Sequence, residues 1–204
     1  MIRIFKTPLF ARWIFPRRIW GFSSSDTVYL TFDDGPTEEM TQWILKTLDE
    51  KKVKATFFCV GANAEKFPEL VSEIETKGHA VGNHTMRHEK GTNVSEDVYQ
   101  KSIEEAARHI PSKLFRPPYG RLPRKFDSNI HPNYKIIMWS WLSYDFDASI
   151  PVETILQKAG KQIRPGDILV LHDNEKVEER VKTLLPQLID SLHERGLKFG
   201  VISA

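Results

Sequence analysis

From Thr27 onward the chain alternates short β-rich runs with longer stretches whose apolar residues recur every three or four positions. "TVYLTF" (27–32), "KATFFCV" (54–60), "HAVGNH" (79–84), "KLFR" (113–116), "KIIMWS" (135–140), "DILVLH" (167–172) and "LKFGVIS" (197–203) read as strands. Between them, Thr37 caps a helix that places Met40, Ile44 and Leu48 on one face. Pro68 opens a helix with Leu70, Val71 and Ile74 inward and Gly78 at its end. Ser95 reads as the next N-cap, with Val94 and Tyr99 placed for a hydrophobic staple. A helix from Pro151 presents Val152, Ile155, Leu156, Ala159 and Ile163. The last helix spans about 176–195, kinked or restarted at Pro186 and ended by Gly196.

Strands alternating with helices imply a parallel sheet joined by right-handed crossovers, and seven such strands can close into a barrel. The expectation is therefore a single α/β domain over residues 25–204, a distorted (β/α)7 barrel resembling a TIM barrel. Residues 1–24 form a separate basic arm: Arg3, Lys6, Arg12, Arg17 and Arg18 occur with no acid before Asp26, interleaved with six aromatics. Charges and prolines interrupt every apolar run there, which excludes a signal-peptide core and a membrane span. The arm either packs its aromatics across the barrel or touches a membrane surface peripherally. A net charge of +2 gives no case for nucleic-acid binding, and the one cysteine, Cys59, reads as a buried strand thiol.

The chemically capable residues collect at strand ends. Asp33 and Asp34 end the first strand, His84 the third, Arg116 the fourth and His172 the sixth. In a parallel barrel those ends share one face, where active sites lie. His84 and His88 are four apart, so a helical turn would aim both at one metal ion, with a carboxylate as third ligand. Glu89 and His79 stand close enough in sequence to leave the ligand choice open. Adjacent strand residues point to opposite sides, so one of Asp33 and Asp34 can bind a cation while the other takes a proton from water. Arg116 can hold a carboxylate through a bidentate pair, and Tyr119-Gly120 can offer a backbone N–H to an oxyanion. His172 suits protonation of a leaving group, with Asp145 or Asp147 as its partner.

"TFDDGP", "HTMRH", "RPPYG" and "ILVLHD", in this order, resemble the sequence motifs of the polysaccharide deacetylases of carbohydrate esterase family 4. That resemblance implies that Asp34, His84 and His88 bind the metal and that Asp33 is the general base. It implies further that Arg116 positions Asp33, that the Tyr119 N–H supports the oxyanion, and that His172 is the general acid, partnered by Asp145. Leu171 would line a pocket for the acetyl methyl, and Thr85 would brace the metal loop. The sequence departs from the family where many members carry Asp-Trp: here Asp145-Phe146 stands, with Leu142 three residues upstream of Asp145.

The implied reaction is hydrolysis of an N-acetyl group on N-acetylglucosamine-type sugars of peptidoglycan or chitin-like glycans, with an O-acetyl esterase or a non-catalytic glycan binder as alternatives. A two-His, one-Asp set suits Zn²⁺ and also admits Co²⁺, Ni²⁺ or Mn²⁺. Trp141 and Phe146 are candidates to stack on sugar rings, whereas Trp139 reads as core. The remaining expectations are an acetylated glycan as partner, a monomeric state and, with no leader visible, a cytoplasmic location.

Overall fold

The computed structural model describes residues 3–203. Helix α1 (Phe10–Ile14) and strand β1 (Arg18–Ile19) precede β2 (Thr27–Asp33), α2 (Glu38–Glu50), β3 (Thr56–Cys59), α3 (Gly61–Lys66) and α4 (Pro68–Thr76). Then come β4 (Ala80–Asn83), α5 (Glu96–Ala106), β5 (Leu114–Phe115), α6 (Asp127–Ile130), β6 (Lys135–Ile137) and β7 (Trp141–Leu142). The chain ends with α7 (Val152–Gln162), β8 (Ile168–His172), α8 (Glu178–Glu194) and β9 (Lys198–Phe199). All ladder pairings are parallel, in the order β1-β6-β5-β4-β3-β2-β8-β7, with β9 beside the start of β2. β6 pairs with β5 and β7 pairs with β8, so the single stretch 135–142 joins the two ends of the sheet. The result is the expected distorted (β/α)7 barrel.

Side-chain alternation sorts the core into layers. Phe58, Leu114, Ile137 and Ile168 fill the barrel interior, together with half-buried Trp139. Val28, Leu30, Phe32, Leu169 and Leu171 instead point outward against α2, α7 and α8, where Ile44, Leu48, Ile155, Leu184 and Leu188 meet them. The apolar faces expected for α2, α4 and α7 are those that pack. Ser95 accepts a hydrogen bond from Val98 N at 3.4 Å, and Val94 and Tyr99 join one cluster. Thr37 stands at the α2 N-cap, but its hydroxyl donates to the Asp173 carbonyl at 2.9 Å rather than capping the helix. α8 runs on through Pro186 as one helix, so no restart occurs there. Cys59 is buried.

The arm is built into the barrel rather than set apart from it. Lys6 forms an antiparallel bridge with Trp141, Leu142 N donates to Phe5 O, and Thr7 N donates to Ser140 O. β1 then covers the free edge of β6. Arg18 is buried in a two-nitrogen pair with Asp127 and also donates to Leu122 O. Phe5 and Trp20 are buried, as the packing expectation requires, yet Leu9, Phe10, Trp13 and Ile14 stay exposed, Trp13 by 84%. Among the described residues no helix is long and apolar enough to cross a membrane.

Candidate active site

The C-terminal strand ends open into a cleft of about 1000 Å³. Asp33 is the last residue of β2 and lies opposite His172, the last of β8, in the ladder. Asp34 leaves the strand with φ 87, and a cis Gly35-Pro36 bond follows. The two carboxylates thus diverge because the backbone turns at Asp34, not because strand alternation continues through it. His84 and His88 also converge by a route other than the expected helical turn. The segment after β4 is a loop in which Thr85 (φ 64) and His88 (φ 58) take left-handed conformations. Tyr119 (φ 59) makes a fourth such residue at the site, out of six non-glycine cases among the described residues. Backbone strain is thereby concentrated where side chains must be aimed.

Asp34 Oδ1 lies 3.7 Å from His84 Nε2 and 3.0 Å from His88 Nε2. Ligand atoms about 2.1 Å from one tetrahedral Zn²⁺ sit about 3.4 Å apart, which these distances bracket. His84 Nδ1 faces the Arg116 carbonyl at 2.7 Å, the outer-sphere contact that turns Nε2 toward a metal. Burial drives the His84 pKa down to about 4, leaving its imidazole neutral at neutral pH. Burial opposes ionisation of Asp34, but the His88 hydrogen bond and the His172 charge outweigh it and hold the carboxyl far below its usual range. A neutral His84 imidazole and an ionised Asp34 carboxylate are states a divalent cation requires, and the three donor atoms converge, so the set fits one.

Glu89 and His79 lie outside this set. Glu89 accepts from Ser102 Oγ at 2.7 Å, and its N–H donates to Thr85 Oγ1, bracing the histidine loop. His79 Nδ1 accepts from Ala55 N at the far end of β4. Two residues unremarked in the sequence hold Asp34 itself. Asn174 Nδ2 donates to its Oδ2 at 2.8 Å, and Asn63 Nδ2 to its carbonyl at 2.7 Å. Asp173 is also newly placed: it is buried, accepts from Gly35 N at 2.7 Å and from Thr41 Oγ1 at 2.9 Å, and so anchors the Asp33–Pro36 turn. Asp173 closes the "ILVLHD" motif and Asn174 follows it, but no residue pattern pointed to a role for either.

Arg116 is fully buried across the barrel mouth, with its guanidinium carbon 4.0 Å over the Phe58 ring. It contacts Asp33 through Nη1 alone, at 2.6 Å, rather than through the expected fork. The remaining donors reach Thr31 Oγ1, Ile137 O and Met138 O, because the barrel wall presents these acceptors first. His172 is held twice by Asp145: Nδ1 sits 2.8 Å from Oδ1, and the backbone N–H donates to Oδ2 at 2.7 Å. Asp147 instead pairs with Arg3 and Ser149. Burial disfavours the His172 cation, but Asp145, with Asp34 and Asp33 behind it, raises the pKa to about 10.

Two substrate-side expectations are corrected. Leu171 does not reach the cleft. On β8 the inward positions are Ile168, Val170 and His172, and Leu171 is buried in the helix-facing layer; Val170 and Leu142 line the cleft. Trp141 is fully buried against Phe5, whereas Trp139 lines the cleft and packs on Gly120. The break between β6 and β7 shifts the alternation, so the indole expected in the core is the one at the site. Phe146 does line the cleft, 54% exposed and edge-on to His172 at 5.4 Å. Tyr119 is 62% exposed beside His88.

A parallel barrel with an acid pair, two histidines and a carboxylate-held histidine at its mouth defines a hydrolase of the carbohydrate esterase kind. The polysaccharide deacetylase family profile matches residues 22–132, and the chain belongs to that family. It is 31% identical over 192 residues to a peptidoglycan-N-acetylglucosamine deacetylase of Bacillus cereus, covering 90% of each chain. It is also 31% identical over 192 residues to a chitooligosaccharide deacetylase of Sinorhizobium fredii, covering 85% of this chain and 89% of the other. A solved peptidoglycan N-acetylglucosamine deacetylase, in complex with 4-naphthalen-1-yl-N-oxidanyl-benzamide, matches with TM-score 0.86 at 31% identity, covering 96% of this chain and 95% of that one. A family 4 pseudoenzyme of Bacillus anthracis matches with TM-score 0.76 at 25% identity, covering 91% of this chain and 67% of that one. Shared fold therefore does not by itself imply catalysis, and activity has to be argued from the residues.

Proposed function

We propose that the chain is a divalent-metal-dependent N-deacetylase that hydrolyses the acetamide of N-acetylglucosamine units in a glycan, releasing acetate. The observation that carries this reading is the meeting of Asp33, the Asp34–His84–His88 set and the Asp145-held His172 at one cleft. The names of the relatives agree with it, and every residue that the chemistry needs is present.

A cation held by Asp34, His84 and His88, with Zn²⁺ the best match to the donors, supplies Lewis acidity toward the acetyl oxygen and acidifies water. Asp33, oriented by the Arg116 guanidinium, takes the proton of the attacking water. The Tyr119 N–H donates to the oxygen as negative charge grows there. His172 enters the reaction protonated, because Asp145 favours its cation. It passes that proton to the departing amine, a poor leaving group without one. Trp139, Tyr119 and Phe146 offer ring faces to the sugar, and Leu142 and Val170 form apolar wall for the methyl.

The test is acetate release from N-acetylglucosamine oligomers by protein stripped with a chelator and reloaded with Zn²⁺, Co²⁺, Ni²⁺ or Mn²⁺. Metal-restored release supports the reading. Release from acetylxylan alone would replace it with an O-acetyl esterase, and no release with any metal would leave a glycan binder.

The arm adds a second contact. Exposed Leu9, Phe10, Trp13 and Ile14 lie between Lys6 and Arg17, with Arg12 among them and no acid in that stretch, which matches an anionic lipid surface. Sedimentation with vesicles containing phosphatidylglycerol should bring down the protein, and Trp13→Ser with Phe10→Ser should abolish this. Equal sedimentation of the two proteins would refute the contact.

A further inference from the structure

Asp145 supplies the carboxylate that holds His172, yet no regular element holds Asp145. The β7–β8 pairing makes its last backbone bond where Ser143 N donates to Val170 O at 3.1 Å. Tyr144 then takes a left-handed conformation (φ 56). Two turns follow, in which Asp147 N donates to Tyr144 O and Ile150 N to Asp147 O. The His172 N–H, which a longer ladder would give to a strand carbonyl, goes to the Asp145 carboxylate instead. Asp145 is fully buried, so its own backbone carbonyl also needs a partner.

That partner is Arg180, the third residue of α8. Its Nε donates to Asp145 O at 2.8 Å and its Nη2 to Ile150 O at 2.6 Å. One planar group therefore ties the two ends of the 145–150 loop together. It does so from a helix whose Val181, Leu184 and Leu188 are set in the core, so the loop is referred to a rigid element. Both bonds are part-buried, and Arg180 spends its charge on carbonyls rather than on a carboxylate. An ammonium is a point donor on a flexible stem and does not span two acceptors as a guanidinium fork does.

The outer side of the same loop is held differently. Arg3 donates to Asp147 Oδ2 and to Ser149 Oγ, and Ile4 N donates to the Tyr144 hydroxyl at 3.2 Å. These contacts are exposed, and none of them reaches Asp145. An exposed pair is screened and contributes little. Resting on the deacetylase reading above, we propose that Arg180 is a positioning residue for proton donation. Its guanidinium locks the Asp145 backbone in the one placement that brings both carboxylate oxygens to His172 and leaves Nε2 aimed into the cleft. Arg116 orients the base through its side chain, and Arg180 orients the acid through the backbone of the acid's partner. A misplacement of about 1 Å so far from the reacting atoms can cost about a hundredfold in rate.

The experiment compares wild type, Arg180→Ala, Arg180→Lys and Arg3→Ala in two ways. The first is kcat and KM for acetate release from N-acetylglucosamine oligomers by zinc-loaded protein. The second is the proton NMR signal of the His172 Nδ1–H, recorded in chelator and assigned by its loss in His172→Gln. An imidazole N–H bound to a carboxylate resonates far downfield, so the signal reports the Asp145–His172 contact without substrate or metal. Arg180→Ala is expected to lower kcat about tenfold to a hundredfold, with KM changed less than about threefold. Its Nδ1–H signal should move upfield or broaden away. Arg180→Lys should fall between Arg180→Ala and wild type in both measurements, and it decides the matter where Arg180→Ala does not fold. Arg3→Ala, which loosens only the outer side of the loop, should match wild type in both. A wild-type kcat in the Arg180 variants, an unmoved Nδ1–H signal, or equal losses in Arg3→Ala overturns the inference and leaves the deacetylase reading standing. Absence of acetate release by wild type overturns the deacetylase reading, and the NMR comparison then still decides whether Arg180 orients the pair.

Discussion

Both oxygens of Asp145 are spent on one residue: Oδ1 meets His172 Nδ1 at 2.8 Å and Oδ2 accepts the His172 N–H at 2.7 Å. The imidazole is thereby fixed in rotation with Nε2 free to face the cleft. Its cation is stabilised despite burial, with a pKa of about 10. If His172 is the acid, activity must be lost as pH rises through that value, since only the protonated form can donate. Asp145→Asn removes the charge that raises the pKa, so the alkaline limb of kcat/KM should move to lower pH. kcat at pH 8 should fall about a hundredfold. A pH–rate profile with an unmoved alkaline limb would take the acid role from His172.

Asn174 predicts a metal phenotype without touching the cation. Its amide donates to Asp34 Oδ2, leaving Oδ1 facing both histidines. Loss of such an outer-sphere contact costs about 10–100-fold in metal affinity. Asn174→Ala should therefore weaken Zn²⁺ binding by that factor in competition with a chromogenic chelator. His88→Ala should abolish stoichiometric binding. Unchanged zinc affinity in both variants would dismiss the proposed ligand set.

What was legible in the sequence and what was not divide along a physical line. Strands, helix faces and the clustering at strand ends depend on periodicity and chain order, and these survived almost unchanged. Side chains whose direction depends on a backbone irregularity did not. Trp139 and Trp141 exchanged roles because the chain breaks between β6 and β7. His84 and His88 meet through two left-handed residues, which the pattern of residue types does not announce. Leu171 is an alternation error of one position on an otherwise correct strand. Asp173 and Asn174 were invisible as functional groups because their partners, Gly35 and Asp34, lie about 140 residues away. Packing of the arm's aromatics on the barrel was among the expected outcomes, but its pairing with β6 was not legible, since a two-residue strand such as β1 has no periodicity to detect.

The buried Asp33–Arg116 contact separates stability from chemistry. Asp33→Asn keeps a hydrogen-bond acceptor for Nη1 but cannot accept the water proton, so turnover should drop about 10²–10⁴-fold with zinc content unchanged. Arg116→Leu instead leaves a buried carboxylate without its cation, at a cost of about 3–5 kcal/mol in denaturant unfolding. An Asp33→Asn enzyme with normal turnover would show that another group is the base.

Asp173 makes the folded protein sensitive to pH at a place remote from solvent. Burial raises its pKa to about 7, against the Thr41 and Gly35 hydrogen bonds, with the Asp34 and Asp33 charges acting in the same direction as burial. The folded state then holds this proton up to about pH 7, whereas the unfolded chain releases it near 4. Between those values the native state binds more protons, so this group's contribution to stability declines as pH rises and is lost above about pH 7. Asp173→Asn still offers an acceptor to Gly35 N and never ionises. The Tm of the variant minus that of wild type should therefore increase steadily from pH 4 to pH 8, measured in chelator so that metal binding does not enter. A difference that stays flat across that range would mean that Asp173 ionises as readily folded as unfolded.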